Sequence, residues 1–188
     1  MNLPGKSLCT GCHACFSVCP VSGIVMRDDA EGFLYPEIND DICICCGLCE
    51  KICPIHLQIN SGKPLRVYAA KNQDEHIRGE SSSGGIFTLL AEAVIHRGGV
   101  VFGARFNEKW EVIHDYTETV ERLAEFRGSK YVQSIIGNTY KQVRDFLSGG
   151  RMVLFSGVPC QIAGLKAFLQ KEYDNLLTVD LVCHGVPS

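Results

Sequence analysis

The sequence predicts an α+β protein in which a small cysteine-rich domain, residues 1–62, precedes a larger α/β domain, residues 63–188. Three observations support this division. Eight of the eleven cysteines form two matching runs before residue 54, and only two cysteines follow residue 65. Residues 60–64, Asn-Ser-Gly-Lys-Pro, have the composition of a linker. Beyond them, strand patterns alternate with helix patterns, which is typical of an α/β arrangement.

Each cysteine run has the form Cys-x-x-Cys-x-x-Cys-x-x-x-Cys-Pro, the bacterial-type spacing for a pair of [4Fe–4S] clusters. Gaps of two residues let three thiolates surround one cluster, and the fourth cysteine, just before a proline, turns toward the other cluster. The spacing therefore predicts a bacterial-type 2[4Fe–4S] ferredoxin domain with two quartets of metal ligands. Cluster I is expected on Cys9, Cys12, Cys15 and Cys53, and cluster II on Cys19, Cys43, Cys46 and Cys49.

Two other uses of cysteine fit this pattern less well. A disulfide framework suits a secreted protein, and the first residues do not have the pattern of a signal peptide. Zinc sites rarely repeat three cysteines at gaps of two with a Cys-Pro exit. Cys45 fits no ligand position, and we expect a space-filling thiol there, with ligand exchange with Cys46 as the alternative.

A β-hairpin is expected between the two runs. Residues 24–26 and 33–35 are short apolar stretches around a charged turn that ends in Gly32. We expect the hairpin to shield cluster I and Pro36 to end its second strand.

Several elements are expected in the α/β domain. Strands are expected at 67–70, 100–106, 111–116, 152–155 and 176–182, and helices at 86–97, 120–126, 140–147 and 159–170. Serines 81–83 would cap the first of these helices, and Gly98 would end it. The last three elements form a β-α-β unit, which places residues 156–160 and 183–187 at one edge of a parallel sheet, where ligands bind in such folds.

Two loops are candidates for binding an anionic cofactor. Residues 81–85 open a helix, whose free N–H groups suit a phosphate, although serine capping gives the same pattern. Residues 127–134 mix glycine, cations, a hydroxyl and an aromatic ring, which suits a nucleotide-bearing cofactor or a solvated connector. The dinucleotide-binding and Walker glycine patterns do not occur.

The two remaining cysteines lie in the loops at the sheet edge. Cys160 is at a helix N-terminus, where the dipole lowers the pKa of a thiol, so a reactive thiol and a structural cysteine both stay open. His184 follows Cys183 and could move protons or be a hydrogen-bonded structural residue.

Charge and composition limit the partners. A net charge of −3 argues against nucleic acid and for redox partner proteins. No apolar run approaches the roughly 20 residues that span a bilayer. Unbridged thiolates and oxygen-sensitive clusters predict a cytoplasmic location.

Together these motifs resemble the family of coenzyme F420 hydrogenase/dehydrogenase beta subunits. Besides the cysteine runs, the resemblance rests on four segments: Ser82-Ser83-Gly84-Gly85, Gly128-Ser129-Lys130-Tyr131, Gly157-Val158-Pro159-Cys160-Gln161 and the stretch Asp-Leu-Val-Cys-His-Gly-Val-Pro at 180–187. It covers nearly the whole chain. Family proteins continue further, so the resemblance implies that residues 63–188 correspond to the family's N-terminal region and that this α/β domain is incomplete at its C-terminus.

The resemblance implies an iron–sulfur flavoprotein oxidoreductase in which FAD exchanges electrons with the clusters and a hydride with a small acceptor such as coenzyme F420. The expected partner is a redox protein or subunit of the ferredoxin, hydrogenase or dehydrogenase type. A non-catalytic electron-transfer module that docks to another subunit is the alternative. The implied FAD contacts are Ser82, Ser83, Gly84, Gly85, Gly128, Ser129, Lys130 and Tyr131, with Pro159, Cys160, Cys183 and His184 as pocket walls.

Overall fold

The structure, a computed structural model, describes residues 2–57 and 64–187. It contains a two-stranded sheet in the cysteine-rich domain and a four-stranded mixed sheet in the α/β domain, so the α+β fold expected from the sequence is confirmed. The expected domain boundary at residues 62 and 63 lies outside the described residues.

The cysteine-rich domain is built from two short helices and one hairpin. Its elements are α1 (Ala14–Val18), β1 (Ile24–Asp28), β2 (Leu34–Ile38) and α2 (Leu48–Lys51). The hairpin between the cysteine runs is confirmed, with β1 and β2 antiparallel. Pro36 does not end the second strand as expected, because β2 continues to Ile38 and Pro36 pairs with Met26. In a two-stranded ribbon each strand has an open edge, where the missing N–H of a proline breaks no hydrogen bond.

The α/β domain contains four strands, four α-helices and one 3₁₀ helix among the described residues. They are α3 (Glu75–Gly79), α4 (Ile86–Ile95), β3 (Val100–Phe106), β4 (Val112–Thr117), the 3₁₀ helix (Glu121–Phe126), α5 (Thr139–Ser148), β5 (Val153–Gly157), α6 (Pro159–Leu169) and β6 (Leu176–Asp180). The sheet order is β4-β3-β5-β6. β4 is antiparallel to β3, and the other two pairs are parallel.

Helices pack on both faces of this sheet because side chains alternate along each buried strand. Phe102 and Phe155 lie on the face covered by α5 and α6, with Tyr140 and Leu165. On the other face, the strand residues Val101 and Leu154 pack with Ala91 and Val94 of α4 and with Leu123 of the 3₁₀ helix. The predicted β-α-β unit is confirmed: Gly157 pairs with Asp180, so β5 and β6 end at the same edge.

Three sequence predictions in this domain are wrong. Residues 67–70 form no strand; Val67 and Tyr68 are 85% and 74% exposed, and no described strand lies beside them. Strand β6 ends at Asp180, before the expected residue 182, and it is only partly buried because it lies at the edge of the sheet. The cap of α4 is Gly85 in a left-handed conformation, φ 71°, and no serine side chain caps it.

The two domains contact each other directly through Cys12 and the helices α5 and α6. The Tyr140 hydroxyl lies 2.8 Å from the carbonyl oxygens of both Cys12 and Gln161 and donates its proton between them. Gly164 permits this contact, because a Cβ there would stand 2.9 Å from the Tyr140 oxygen and 3.2 Å from the Cys12 Cβ. A second link joins the Leu34 N–H to Gln133 Oε1 at 2.8 Å.

Replacement of Tyr140 by phenylalanine tests this link. Tyr140→Phe leaves two buried carbonyls without their donor, so we expect the free energy of unfolding to fall by about 1–3 kcal/mol. Urea denaturation of the anaerobic protein measures it. The control is Tyr116→Phe, since Tyr116 packs against Phe102 in the same core and makes neither hydrogen bond. Equal losses in both variants would contradict the role assigned to the Tyr140 hydroxyl.

Candidate functional site

The first cysteine quartet surrounds one cavity. Cys9, Cys12, Cys15 and Cys53 line a space of about 360 Å³, including the part that opens to solvent. Met26 and Pro36 of the hairpin close one side of it, as the sequence predicted for cluster I. His13 also lines the cavity. The grouping is the one that the spacing predicts, with three neighbouring cysteines joined by the last cysteine of the other run.

The second quartet surrounds a separate cavity. Cys19, Cys43, Cys46 and Cys49 line a space of about 320 Å³, again partly open. Ile24 and Ile38 of the hairpin lie against it, so the hairpin covers both cavities and not the first alone. The Gly23 N–H donates to Cys19 Sγ at 3.1 Å.

Burial makes four of these thiols weaker acids. It raises the pKa of Cys12 to about 11 and that of Cys15 to about 12, and neighbouring cysteines add to both shifts. Burial also raises the pKa of Cys9 and Cys49. A ligand must be a thiolate, so positive charge from iron has to offset this cost, and iron binding and folding are coupled.

The site suits a cluster better than one ion. Among residues 2–57 and 64–187, no three His, Cys, Asp or Glu side chains are grouped so that they could hold a single metal ion. A cubane cluster has four irons, each bonded to one thiolate, so its four ligands stand around a larger volume than the ligands of one ion. Two cavities with four thiols each fit that requirement.

Cys45 lies apart from both quartets. It is exposed, has a left-handed conformation with φ 52°, and lines neither cavity. The expected space-filling role is therefore wrong, because an exposed thiol fills no internal space. Its position gives the chain a matched control for the ligand cysteines.

The two loops expected to contact FAD lie next to each other. The Ser129 N–H donates to Ser82 Oγ at 2.8 Å, which joins residues 82–85 to residues 128–131. No side chain caps the N-terminus of α4, which begins after Gly85. No capping side chain therefore competes with a ligand for the first N–H groups of this helix. Gly84 packs tightly against the chain, since a Cβ there would stand 2.7 Å from the Ala70 oxygen.

Lys130 makes hydrogen bonds within the protein. Its ammonium donates to the carbonyl oxygens of Arg127 at 2.7 Å and Glu125 at 3.2 Å, and burial lowers its pKa to about 8. An ammonium has three donors, so one is left for a ligand. Tyr131, beside it, is largely exposed.

The loops after β5 and β6 meet at the sheet edge, as expected. The Leu181 N–H donates to the Gly157 oxygen at 3.0 Å. Pro159 is in the first turn of α6, and Cys160 next to it is within electrostatic range of Cys183 and of Cys12.

Of the two alternatives for Cys160, the structure favours the structural cysteine over the reactive thiol. Burial raises the pKa of its thiol, with a smaller rise from Cys183, and outweighs the hydrogen bonds from Thr10 and the backbone. Cys183 accepts a hydrogen bond from the Gly185 N–H at 3.3 Å. His184 is exposed at the same edge. Thr10 and Cys12, with which Cys160 interacts, both line the cavity of the first quartet. This edge of the sheet therefore borders that cavity.

Comparison with known proteins assigns the parts of the chain. Residues 8–56 match the 4Fe-4S dicluster domain. Residues 67–138 match the N-terminal domain of the coenzyme F420 hydrogenase/dehydrogenase beta subunit, and residues 150–188 match its C terminus. This chain belongs to the family of coenzyme F420 hydrogenase/dehydrogenase beta subunits. Its dicluster domain thus precedes two segments that match this family.

Curated relatives cover nearly the whole chain. A subunit of the F(420)H(2) dehydrogenase of Methanosarcina mazei is 26% identical over 94% of this chain and 53% of its own length. Coenzyme F420-dependent sulfite reductase of Methanocaldococcus jannaschii is 24% identical over 97% of this chain and 28% of its own. This member of the beta-subunit group thus spans about half the length of the first relative and less of the second.

A solved structure is also similar in part. A chain of the F420-reducing [NiFe] hydrogenase complex from Methanosarcina barkeri, from a xenon derivatization study, superposes with a TM-score of 0.49 and 25% identity. The similarity covers 60% of this chain and 42% of that one.

Within the described ranges, no helix of our protein has the length and apolar character needed to cross a bilayer.

Sequence reasoning missed the residues that join the domains. Tyr140, Gly164 and Gln133 contact the cysteine-rich domain from positions that look like ordinary helix or loop residues. The sequence could have indicated that His13 is unusual, because the equivalent residue of the second cysteine run is Gly47. An imidazole in one run and a glycine in the other make the two cluster sites chemically unequal.

Iron content tests the ligand assignment. Cys49→Ser removes one ligand of the second quartet, so we expect anaerobically purified protein to fall from about eight irons per chain to about four, with loss of stability. The control, Cys45→Ser, should keep the full complement because Cys45 lines neither cavity. Unchanged iron in Cys49→Ser, or an equal loss in both variants, would contradict the assignment.

Proposed function

We propose that this protein is an iron–sulfur flavoprotein oxidoreductase, or part of one, that passes electrons between two [4Fe–4S] clusters and FAD. The observation that carries the proposal is the arrangement of eight cysteines in two quartets, of which the first borders the α/β domain. We assign Cys9, Cys12, Cys15 and Cys53 to cluster I, and Cys19, Cys43, Cys46 and Cys49 to cluster II.

The contacts give the two clusters different roles. Cluster I faces the α/β domain, since Cys12 packs against Gly164 and accepts from Tyr140. Cluster II faces outward, with Cys46 exposed and Ile44 60% exposed at its cavity. We therefore propose that a redox partner docks at cluster II and that electrons pass through cluster I to the α/β domain.

The FAD site is proposed at the two joined loops. The free N–H groups at the start of α4 and the remaining donor of Lys130 suit the diphosphate of the cofactor. Bound flavin would collect single electrons from the clusters and exchange them in pairs, as a hydride, with the acceptor. The loops that contain Pro159, Cys160, Cys183 and His184 would border the space for that acceptor, because they lie between cluster I and the sheet edge.

The acceptor and partner are proposed from the relatives. Two curated relatives that cover nearly the whole chain are named for F420, so an F420-like or other small acceptor is proposed here. The M. mazei relative is named as a subunit, which supports a partner subunit of the hydrogenase or dehydrogenase type. We also propose a cytoplasmic location, because oxygen-sensitive clusters and cysteines outside disulfides suit a reducing compartment.

The alternative is a non-catalytic ferredoxin-type module that docks to another subunit. Lys130 donates two hydrogen bonds to backbone carbonyls. These bonds favour the alternative, because they give this residue a structural role without any cofactor. Anaerobic reconstitution with FAD, followed by removal of free flavin and acid release, separates the two. About one flavin per chain supports the flavoprotein, whereas none with full iron content supports the module.

Lys130 provides the sharper test of the FAD site. Lys130→Ala removes the remaining donor, so we expect FAD affinity to fall about tenfold, the loss of one charge-assisted hydrogen bond, with iron unchanged. Equilibrium titration of the reconstituted protein with FAD measures it. The control is Lys109→Ala, at an exposed lysine in the turn between β3 and β4. Parallel loss of iron and flavin would instead assign Lys130 to the fold alone.

A further inference from the structure

We propose that the His13 imidazole donates an N–H hydrogen bond to a sulfur atom of cluster I and raises the reduction potential of that cluster. The inference rests on the proposed function, because it takes the first quartet as the ligands of cluster I. The step concerned is one-electron reduction by an external reductant such as dithionite, which adds one negative charge to the cluster.

The first observation is a buried ring without a partner. His13 is 2% exposed, and neither of its ring nitrogens has a hydrogen-bond partner within the described chain. An imidazole always carries at least one N–H donor, and a buried donor without an acceptor is costly. The ring stands edge-on to Phe16, with centroids 6.0 Å apart, and that neighbour offers no oxygen or nitrogen acceptor.

The second observation is where the ring lies. His13 lines the cavity of the first quartet together with Cys9, Cys12 and Cys15. The group that fills this cavity would present sulfur atoms to the ring, and sulfur accepts hydrogen bonds from N–H groups. The nearby His114 does not satisfy His13, because its own ring nitrogens contact Ser134 Oγ at 3.0 Å and the Ser156 oxygen at 3.1 Å.

The third observation comes from the internal repeat. His13 has a left-handed backbone with φ 63°, and the equivalent residue of the second run, Gly47, has φ 72°. Glycine adopts this conformation freely, whereas a residue with a Cβ is strained there. The fold therefore requires a left-handed residue before each short helix, and the first run places an imidazole where glycine would be easier.

The hydrogen bond would act on the cluster potential. A reduced cluster is more negative than an oxidised one, so an N–H donor stabilises the reduced state more and raises the potential. Gly47 has no side chain to do this for cluster II. His13 would thus favour electrons on the cluster that faces the α/β domain, in agreement with the direction proposed above.

Redox titration followed by electron paramagnetic resonance tests the proposal. His13→Gly copies the second run, removes the strain and should keep both clusters. We expect the equilibrium constant for reduction of cluster I to fall about tenfold, which is about 59 mV for a one-electron couple, with cluster II unchanged. His13→Gln keeps an N–H donor and should restore part of the shift. The control is His56→Gln, at an exposed histidine of the same domain.

A second readout uses histidine labelled with ¹⁵N. The reduced wild type should show weak coupling between the unpaired electron and a ring nitrogen, and His13→Gly should lose it. Equal cluster potentials in wild type and His13→Gly would overturn the proposal. Loss of iron in both His13 variants, or a coupling strong enough for a direct Fe–N bond, would also overturn it and make His13 a structural residue or a ligand. Wild-type protein that binds no cluster would overturn the proposed function as well.

Discussion

The exchange of one cysteine between the two quartets is the constraint on which the remaining structure depends. Cys53 joins the first quartet and Cys19 joins the second, so neither cavity is complete until both halves of the domain have folded together. Burial raises the pKa of several of these thiols, and their thiolates require positive charge nearby. A domain with so small an apolar core would be stabilised mainly by the clusters proposed for its two cavities.

The same constraint fixes where the cysteine-rich domain contacts its neighbour. The loop that contains Cys12 contacts Tyr140 on α5 and Gly164 on α6. A larger residue at 164 would press on both Cys12 and the Tyr140 hydroxyl. One cluster site therefore lies against the α/β domain and the other faces solvent. This asymmetry would give electron transfer between the two sites a direction.

The mixed sheet brings the other candidate residues to that side of the molecule. Because β5 and β6 are parallel, the loops after both strands end beside the start of α6, close to Thr10 and Cys12. The loops expected to hold a cofactor are joined to each other through Ser82 and Ser129. Family membership and the two cysteine-lined cavities support iron–sulfur clusters in this chain.

The sequence alone determined the cysteine grouping, the hairpin and the β-α-β unit, because each follows from local spacing or periodicity, and the family was identified by its resemblance. It failed at residues 67–70, where an apolar pattern has no strand to pair with, and it left two alternatives open at Cys160, where burial raises the pKa of the thiol. Tertiary structure decided that Tyr140 joins the domains, that Lys130 caps carbonyls and that His13 has no partner among the described residues. These depend on contacts between residues far apart in the chain, and no local pattern records which distant atoms surround a side chain.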